Sequence, residues 1–488
     1  MQRTDIVIMA AGMGTRMKSR KPKVLQELAG RPLLGHVLAQ AVKLQPRSIV
    51  IVCGHEAEQV EAACRRMLGA DGGVALHFVL QQPQKGTGHA VQQAEPELPG
   101  DGLTLVLNGD VPLVRAQTMQ RLLDACTQDT VALLTVDAGE DAGAYGRVVR
   151  TGDAVRAIVE AKDATPEQLA LTEWYSGVMA APTPLLKKYL AQLTDDNAQR
   201  EFYLTDVVRH AVADGTRIDA VTLADATEVA GVNSPVQLAA LERQLQRAHA
   251  ERLMTEGVRL ADPARFDLRD DARSGVPGEL VCASDVEIDV GCIFSGRVEI
   301  GEGARIGAYC CIANASIAAG ADVRPYTHID GEQKGVRVGE GAQIGPFARL
   351  RPGAELAAQV HVGNFVEIKN STLAQGAKAN HLAYVGDASL GEHVNYGAGC
   401  ITANYDGVNK HRTTIGAEVR TGSNTVFTAP VEIGDGAYTA AGAVVRKNVP
   451  PGALTMNAVD QRIIEDWVLE RRAGSAAAEA AQKARDKS

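Results

Sequence analysis

The sequence predicts two domains of different classes, an α/β domain over residues 1–233 and a parallel β-helix over residues 263–460. Short apolar runs alternate with helical stretches in the first half, whereas aliphatic residues recur every six positions in the second half. Residues 234–262 read as a helical linker, and residues 461–488 form an alanine-rich tail that fits either a frayed helix or disorder. A chain of 488 residues is long enough for each domain to bury its own core.

The first domain contains short apolar runs that are typical of buried strands. These candidate strands are Ile6–Met9, Ser48–Val52, Leu76–Leu80, Leu103–Leu107 and Val131–Val136. Helical stretches such as Leu34–Leu44 and Ala57–Leu68 lie between them. Because crossover helices join strands that run in the same direction, this order predicts a parallel sheet with helices on both faces.

The linker is predicted to be one long helix. Ser234 is a capping residue, Pro235 suits the first helical position, and Gln237 is placed to complete a capping box. Apolar residues then follow at helical spacing, at Leu238, Leu241, Leu245 and Ala248. Gly257 is a typical helix stop.

The second domain repeats with a period of six residues. Consecutive positions of one phase carry aliphatic residues, at Val338, Ile344, Leu350, Leu356, Val362 and Ile368. Further on, Ile415 and Ile433 are eighteen residues apart, which equals three such units. This period is the signature of a parallel β-helix, in which short strands turn corners and aliphatic side chains stack inside. An ordinary β-sandwich is the alternative, and six consecutive matches disfavour it.

Charge and composition exclude several classes of protein. The net charge of −9 argues against a general nucleic-acid binder, since no strong positive field is present. No apolar run reaches membrane-spanning length, so we expect no membrane insertion. The eight cysteines contain no Cys-x-x-Cys pair, and we expect free thiols in a reducing cytoplasm.

A glycine-containing loop, Ala10–Met17, directly follows the first predicted strand. Its glycines let the backbone approach a phosphate, and a helix N-terminus that follows favours an anion. The dinucleotide fingerprint fails because Met17 stands where a third glycine is required. Arg16 and Lys23 add cations for phosphate oxygens. Asp110 follows a later strand, at the edge where ligands and Mg²⁺ bind in open α/β sheets, although taken alone it is equally compatible with a turn.

These segments together resemble the sugar-nucleotide pyrophosphorylase family. The matching positions are Ala10–Met17 with Lys23, Gln81 before Gly86–Ala90, Asn108–Asp110, Tyr145–Arg147, Val159 with Glu160, and Gly231–Asn233. The resemblance implies a Rossmann-like nucleotidyltransferase domain with a mixed sheet covered by helices. It also implies that a sugar-1-phosphate attacks the α-phosphorus of UTP and that pyrophosphate leaves, with positioning and charge stabilisation supplied by the protein.

The same resemblance implies roles for individual residues. Asp110 and Asn233 would hold Mg²⁺, with Mn²⁺ left open, and Arg16 with Lys23 would offset the triphosphate charge. The implied contacts to UTP and the UDP-sugar are Met9, Ala10, Ala11, Gly12, Lys23, Gln81, Gly86, Thr87, Asn108, Gly109, Asp110, Gly146, Glu160, Tyr175 and Asn233.

Within that set, Gln81, Gly86 and Thr87 would read uracil, whereas Gly146 and Glu160 would face the sugar.

Two positions depart from the family pattern. Tyr175 stands where the family usually has Asn two residues before a glycine, which leaves one expected sugar contact undecided. Asn108 stands where many relatives carry Tyr, and this is a milder change.

A polar set in the β-helix points to acyl transfer. His381 is a suitable base for the proton of an attacking amine near neutral pH, although a lone His in a β-helix is more often structural. Arg351 and Lys369 supply cations for a phosphate group. The segment Asn404–Gly407 with Lys410 interrupts the repeat, and an insertion in a solenoid often marks its binding face.

The order of a pyrophosphorylase-like domain and this β-helix resembles a family of bifunctional enzymes over about residues 5–460. The resemblance implies a left-handed β-helix of hexapeptide repeats and a homotrimer. It implies that the β-helix acetylates glucosamine-1-phosphate with acetyl-CoA, with His381 as general base. The first domain would then transfer UMP from UTP to N-acetylglucosamine-1-phosphate and give UDP-N-acetylglucosamine for cell-envelope synthesis.

The same resemblance divides the binding residues of the β-helix into two groups. The sugar phosphate would contact Arg351, Lys369, Tyr384 and Asn395. Acetyl-CoA would contact Ala398, Asn404, Tyr405, Ser423, Ala441 and Ala458. Ala458 stands where relatives usually place an Arg that helps to hold CoA, so we predict weaker or differently arranged CoA binding.

Two other functions are compatible with parts of the sequence. One is a monofunctional sugar-1-phosphate nucleotidyltransferase whose β-helix binds a regulator or builds the oligomer, and the polar set around His381 argues against it. The other is a non-enzymatic scaffold, and four residues of the first domain argue against it: Arg16, Lys23, Asp110 and Asn233.

Overall fold

The structure is a computed structural model that describes residues 3–12, 14–54, 56–68, 73–139, 142–457 and 461–487. The chain divides into two compact units, Met1–Gly335 and Val336–Ser488. The predicted domain bounds stay a prediction, since this division falls within the region predicted to be β-helical.

A mixed β-sheet forms the centre of the N-terminal unit. Its strands, together with the separate hairpin β2–β3, are β1 Thr4–Ala10, β2 Glu27–Leu28, β3 Arg31–Pro32, β4 Ser48–Cys53, β5 Ala75–Leu80, β6 Leu103–Asn108, β7 Thr130–Val136, β8 Arg147–Thr151, β9 Ala154–Val159, β10 Trp174–Pro182 and β11 Arg217–Leu223. The strand order is β11-β7-β10-β6-β1-β4-β5, and β8 with β9 joins through β10. Every predicted strand of this domain is therefore confirmed.

Two strands, β9 and β10, run against the others and make the sheet mixed rather than parallel. β5, β4, β1 and β6 are parallel, but β10 runs antiparallel to both β6 and β7. The purely parallel sheet predicted from strand–helix alternation is wrong, and the mixed sheet implied by the resemblance is confirmed. β10 also pairs antiparallel with β8, so turns replace crossover connections in this part of the sheet. Since β1 pairs with β6, the loops that follow these two strands meet at one edge.

Helices cover both faces of this sheet. They are α1 Leu33–Ala41, α2 Ala57–Leu68, α3 Thr87–Ala94, α4 Ala116–Ala125, α5 Pro166–Leu169, α6 Thr183–Leu190 and α7 Asp206–Ala213. Side chains of β1 alternate between two cores, with Ile6 and Ile8 in one and Val7 in the other, all 0% exposed. The sheet is thus buried on both faces, as predicted.

The predicted linker helix is α8, Pro235–Thr255. Ser234 Oγ accepts a hydrogen bond from Gln237 N at 3.3 Å, and Gly257 follows the helix end with a φ of 98°. The predicted capping box needs one correction, because Gln237 Oε1 accepts from the amide of Asn233 at 2.9 Å, one residue before the cap. Since Asn233 is a candidate metal ligand, this helix start also fixes part of the site.

Short parallel strands build the β-helical coils of both units. Those of the N-terminal unit are β12 Arg259–Leu260, β13 Asp267–Arg269, β14 Glu279–Cys282, β15 Glu287–Ile288, β16 Ile293–Ile300, β17 Arg305–Ile306, β18 Cys311–Ile317, β19 Asp322–Val323 and β20 His328–Asp330. Those of the C-terminal unit are β21 Val336–Val338, β22 Gln343–Ile344, β23 Arg349–Leu350, β24 Glu355–Leu356, β25 His361–Asn364, β26 Glu367–Lys369, β27 Thr372–Leu373, β28 Lys378–His381, β29 Tyr384–Gly386, β30 Ala388–Leu390, β31 Asn395–Tyr396, β32 Ile401–Ala403, β33 Thr413–Ile415, β34 Arg420–Thr421, β35 Val426–Thr428, β36 Val431–Ile433, β37 Tyr438–Thr439, β38 Val444–Val445 and β39 Leu454–Thr455.

Each coil of the C-terminal unit places its strands directly on those of the previous coil. β22 pairs in parallel with β25, β23 with β26 and β24 with β27. The side chains of the predicted six-residue period are all buried, at 3% exposure or less. A Cβ on Gly363 would lie 2.0 Å from the carbonyl oxygen of Asn380, so the coils approach too closely there for any other residue. The β-helix is therefore confirmed and the β-sandwich is excluded.

The tail contains two short helices, α9 Trp467–Arg471 and α10 Ala476–Arg485. In the part of the chain that the structure describes, every helix is too short or too polar to cross a bilayer.

Candidate active sites

The loop after β1 forms one wall of a cavity in the N-terminal unit. Gly14 has a φ of 58°, and a Cβ on it would lie 2.6 Å from the Cβ of Lys23, so glycine lets the lysine pass beside the loop. The single turn Thr15–Met17 follows and carries Arg16 at an exposed position.

Lys23 lies between the two candidate metal ligands. Its Nζ donates to Oδ2 of Asp110 and, at 3.1 Å, to Oδ1 of Asn233. The side chains of Lys23 and Asp110 are only 12% and 19% exposed. A carboxylate so poorly solvated needs a counter-charge, and the ammonium group supplies it. The fold thus joins three residues that the sequence singled out separately.

Contacts between the two ligand-bearing loops hold this arrangement. Val232 N donates to the carbonyl oxygen of Asp110 at 3.0 Å. Gly231 N donates to the hydroxyl of Tyr145 at 3.4 Å, and the Tyr145 ring stacks on Trp174 with ring centroids 4.0 Å apart. Contacts within the protein therefore hold Asp110 and Asn233 in place.

A cavity of about 400 Å³ opens beside Lys23. Predicted contacts that line it are Met9, Ala11, Gly12, Lys23, Gln81, Gly86, Thr87, Asn108 and Asp110. Ala90, from the matching segment Gly86–Ala90, also lines it, and the lining residues that the sequence did not single out are Val24, Gln84 and Glu201. The Gln84 amide donates to the carbonyl oxygen of Ala11, and its place between Gln81 and Gly86 is the signal that could have identified it. The predicted contacts outside this lining are Ala10, Gly109, Gly146, Glu160, Tyr175 and Asn233.

Gln81 is locked in place at one end of the cavity. Its Nε2 donates to the carbonyl oxygen of Gly86 at 2.9 Å and contacts His89 Nδ1 at 3.2 Å. Gly86 is the N-cap of α3 and has a φ of 100°, and a Cβ on it would lie 2.6 Å from the carbonyl oxygen of Phe202. Glycine is required at this position, and it sets the path of the backbone that would contact the uracil base.

Glu160 and Gly146 lie together elsewhere in the unit. Glu160 Oε1 accepts from Thr205 Oγ1 at 3.0 Å, and a Cβ on Gly146 would lie 3.7 Å from Glu160 Oε2. Burial raises the pKa of Glu160, against the effect of the Thr205 hydrogen bond. A fixed acceptor of this kind suits a sugar hydroxyl, and its role stays a prediction.

Tyr175 is buried in the sheet core. It is 6% exposed, and its N donates to the carbonyl oxygen of Gly146 at 2.9 Å. Among the described residues, its buried hydroxyl has no hydrogen-bond partner. Burial raises the pKa of Tyr175, with the Glu160 charge acting in the same direction. Its predicted sugar contact stays a prediction.

His381 lies on an exposed corner of the C-terminal coils. Its Nδ1 is 3.3 Å from Oδ1 of Asn364, which occupies the paired position one coil earlier. Because a carbonyl oxygen accepts but cannot donate, this contact requires the proton on Nδ1 and leaves Nε2 as the basic nitrogen.

The predicted acetyl-CoA residues continue along the same corner. Gly399 N donates to the carbonyl oxygen of His381 at 3.1 Å. In the next coils, Asn424 N donates to the carbonyl oxygen of Ala398 at 2.7 Å, and Gly442 N donates to that of Ser423 at 2.8 Å. The corner column therefore carries, on successive coils, Asn364, His381, Ala398, Ser423 and Ala441. Ala458 lies outside the described residues.

Cations gather on the neighbouring coil faces. Arg351 donates to Glu367 Oε1 at 2.8 Å, and Glu367 pairs with Tyr384 in the next coil. Lys410 lies close to Lys369 and lowers its pKa, with burial acting in the same direction. In the sequence, Lys410 stands out only as part of the polar segment that interrupts the repeat. Its role as a second ammonium beside Lys369 depends on the fold of the insertion.

The other predicted residues of this unit differ in exposure. Tyr384 is half-buried, whereas Asn395, Tyr405, Ser423 and Ala441 are exposed. The hydroxyl of Tyr405 donates to the carbonyl oxygen of Gly407 at 2.6 Å.

Comparisons with known proteins agree with both halves of this description. Residues 6–212 match the MobA-like NTP transferase domain, and residues 412–447 match the bacterial transferase hexapeptide (six repeats). The bifunctional protein GlmU of Acidovorax ebreus (strain TPSY) is 64% identical over 464 residues, which cover 95% of this chain and 97% of that protein. Its counterpart from Acidovorax sp. (strain JS42) shows the same identity and coverage. The bifunctional protein GlmU of Paracidovorax citrulli (strain AAC00-1) is 64% identical over 469 residues, 96% of this chain and 98% of that protein.

These relatives span nearly the whole chain, so neither a monofunctional transferase nor a scaffold accounts for it. The chain therefore belongs to the bifunctional GlmU family and is an enzyme with two activities, UDP-N-acetylglucosamine diphosphorylase and glucosamine-1-phosphate N-acetyltransferase.

Proposed function

We propose that the two sites act in sequence on one amino sugar. The C-terminal site transfers the acetyl group of acetyl-CoA to the amine of glucosamine-1-phosphate. The N-terminal site then joins the N-acetylated sugar phosphate to the UMP part of UTP, and pyrophosphate leaves. The observation that supports the acetyl-transfer step is the exposed His381 on the same coils that carry the cations Arg351 and Lys369, because this unit then offers a base for the amine and cations for the phosphate.

In the N-terminal site, the protein's contribution is positioning and charge. The phosphate oxygen of the sugar attacks the α-phosphorus of UTP, and the bond to the pyrophosphate group breaks. Lys23 and the exposed Arg16 would offset the charge of the phosphates. The fixed Gln81 and the amides at Gly86 would hold the base, so that attack proceeds in line.

The donor set of this site fits Mg²⁺. Asp110 and Asn233 already direct side-chain oxygens at one cation, the ammonium of Lys23. Mg²⁺ uses one or two protein oxygens together with phosphate oxygens and water, so these two ligands suffice. When bound, such an ion would supply positive charge to the phosphate oxygens. The chemistry of two oxygen donors does not distinguish it from Mn²⁺.

In the C-terminal site, His381 is the proposed general base. Its Nε2 would take a proton from the substrate ammonium, and the free amine would attack the thioester carbonyl carbon of acetyl-CoA. The carbon–sulfur bond breaks and CoA leaves as a thiolate, which takes up a proton. Asn364 would hold the ring in the required tautomer through Nδ1.

The corner column would form the binding surface for acetyl-CoA. Ala398, Ser423 and Ala441 follow His381 on successive coils, at intervals of about 4.8 Å. Small side chains leave room for an extended pantetheine arm along them.

Lys369 and Lys410 would bind the sugar phosphate, because two neighbouring ammonium groups favour an anion between them.

We further propose a homotrimer. Phe347 and Phe365 stack with ring centroids 5.4 Å apart and are 47% and 57% exposed, and Leu382 is 65% exposed next to His381. Large apolar side chains in such a row are typical of a protein interface. A second copy against this corner would supply the opposite wall of the acetyl-transfer site.

A cytoplasmic location is the accompanying proposal. All eight cysteines are free, and most are buried. Thiols of this kind are typical of a reducing compartment.

The test is to incubate the protein with glucosamine-1-phosphate, acetyl-CoA, UTP and Mg²⁺ and to detect UDP-N-acetylglucosamine by mass spectrometry. We expect the product, and we expect His381→Ala to abolish it unless N-acetylglucosamine-1-phosphate is supplied. If the unchanged protein makes product only from the pre-acetylated sugar, the C-terminal half of the proposal is wrong.

A further inference from the structure

A polar column runs up a second corner of the C-terminal coils. It consists of Asn370, Asp387 and Asn404, which follow one another at intervals of seventeen residues. Asp387 is the shared acceptor: Asn370 Nδ2 donates to its Oδ1 at 2.6 Å, and the Asn404 amide donates to its Oδ2. One carboxylate therefore fixes the amides of the coils on either side of it.

Asp387 is built into this position at a conformational cost. It is 8% exposed and has a φ of 49°, in the left-handed region that residues other than glycine rarely adopt. It forms the one-residue corner between β29 and β30, and Thr413 N donates to its carbonyl oxygen at 3.2 Å. Burying a carboxylate is unfavourable unless positive charges or hydrogen bonds compensate for the lost water, so the partners of Asp387 account for its position.

The charge of Asp387 is directed at a proposed substrate-binding residue. Lys369 Nζ lies 3.9 Å from its Oδ2, and Lys410 is close to the same lysine. Burial opposes ionisation of Asp387, but the hydrogen bonds from Asn370 and Asn404 and the two lysine charges outweigh it and lower its pKa. The carboxylate is therefore ionised when the lysines are charged.

We propose that Asp387 is a positioning residue that holds both halves of the acetyl-transfer site with one buried charge. On one side it holds Lys369, which would bind the sugar phosphate. On the other side it fixes the side-chain amide of Asn404, a proposed acetyl-CoA contact, by accepting a hydrogen bond from its NH₂ group. This inference rests on the proposed acetyl transfer.

The substitution Asp387→Asn removes this function with almost no change in shape. Its amide carries no charge for Lys369, and its NH₂ group meets the NH₂ group of Asn370 or of Asn404. The two effects act on different substrates, so both substrates should bind less well.

The experiment measures steady-state acetyl transfer by Asp387→Asn with glucosamine-1-phosphate and acetyl-CoA varied in turn. We expect the KM for each substrate to rise roughly ten- to hundredfold, because hydrogen bonds to a charged group are lost on both sides. Uridylyl transfer by the same chain, with N-acetylglucosamine-1-phosphate and UTP, is the internal control for folding and protein concentration, and its rate should be unchanged. Asp435→Asn is the matched control, since Asp435 is exposed and its carboxylate accepts a hydrogen bond from the backbone amide of Ala417 at 2.8 Å.

Double variants separate positioning from a loss of folding. In a Lys369→Met background, Asp387→Asn should no longer raise the KM for glucosamine-1-phosphate, whereas it should still raise the KM for acetyl-CoA. A change in only one KM of the single variant, or equal rises in the Lys369→Met background, would overturn the proposal. If the unchanged protein acetylates nothing, the proposed function itself has failed; if it acetylates and Asp387→Asn matches it, only the role of Asp387 has failed.

Discussion

The N-terminal site holds the ion pair of Lys23 and Asp110 in a cavity of one unit, whereas the C-terminal site presents its proposed general base, His381, on an exposed corner. Lys23 is 12% exposed and is already paired with Asp110 and Asn233. His381 is exposed, and the side chains of Phe365 and Leu382 beside it are more than half exposed. Both sites bind phosphate by our proposal, but the first is a cavity lined by several segments of one unit, whereas the second is proposed to gain its opposite wall from another copy of the chain.

This difference follows from how each fold makes a cavity. An open α/β sheet brings several loops together at the carboxyl edge of its strands, so one chain can surround a nucleotide. A β-helix coil has flat faces and corners, and a single coil stack offers a surface rather than a pocket. The variants below test the comparison, from the largest expected effect to the smallest.

Lys23→Ala should affect the N-terminal activity alone. It removes the phosphate-facing cation and leaves Asp110 without its counter-charge, so we expect uridylyl transfer to fall by about 10²–10³. Pyrophosphate release measures the loss, and acetyl transfer should not change. Lys43→Ala, at an exposed lysine of the same unit, is the control. A comparable loss of both activities would contradict the independence of the two sites.

Asn364→Ala should weaken the base of the C-terminal site. Without the Nδ1 contact, the His381 ring loses its fixed tautomer, and we expect the kcat of acetyl transfer to fall by about tenfold, the value of one hydrogen bond. The KM for acetyl-CoA should stay the same. An unchanged kcat would show that the tautomer is set by another contact.

Ala458→Arg tests the departure of this chain from the family pattern. An added guanidinium near CoA phosphate groups should lower the KM for acetyl-CoA by a factor of about three to ten. Uridylyl transfer provides the internal control. If the KM does not move, CoA binding in this chain does not depend on that position.

The pH profile of acetyl transfer should report Lys369. Lys410 lowers its pKa, burial acts in the same direction, Asp387 opposes this, and Arg351 adds a smaller lowering effect. As the pH rises through that lowered pKa, Lys369 loses its charge. The KM for glucosamine-1-phosphate should therefore begin to rise at a pH below the usual pKa of lysine. Lys369→Arg should move this rise to higher pH, because arginine stays protonated. The same alkaline limb in both proteins would assign it to another group.

Tyr175→Phe should have the smallest effect. It removes a buried hydroxyl that has no partner among the described residues, so the free energy of unfolding should stay the same or increase by up to about 1 kcal/mol. Thermal unfolding measures this change. A clear loss of stability would mean that the hydroxyl is hydrogen-bonded, and a higher KM for N-acetylglucosamine-1-phosphate would support the sugar contact.

The sequence was sufficient for the class of each domain. A period of six places Val338 to Ile368 inside the coils because one side chain per strand points inward, and this depends only on local geometry. The strands, α1, α2 and the start of α8 were also local predictions, since caps and apolar runs determine them. The antiparallel β10 was not predicted, because strand direction is set by connections and pairing rather than by composition.

Residue types near the sites could be recognised from the chain, but their partners could not. Lys23 and Asn233 are 210 positions apart, and they meet because two loops end at one sheet edge. Lys410 reaches Lys369, and Asp387 joins Asn370 to Asn404, only because the coils stack in register. Local sequence thus determined which side chains are available and which strands and helices carry them. The tertiary structure decided which charges share one environment, since a hydrogen bond or an ion pair acts over a few ångströms and does not depend on distance along the chain.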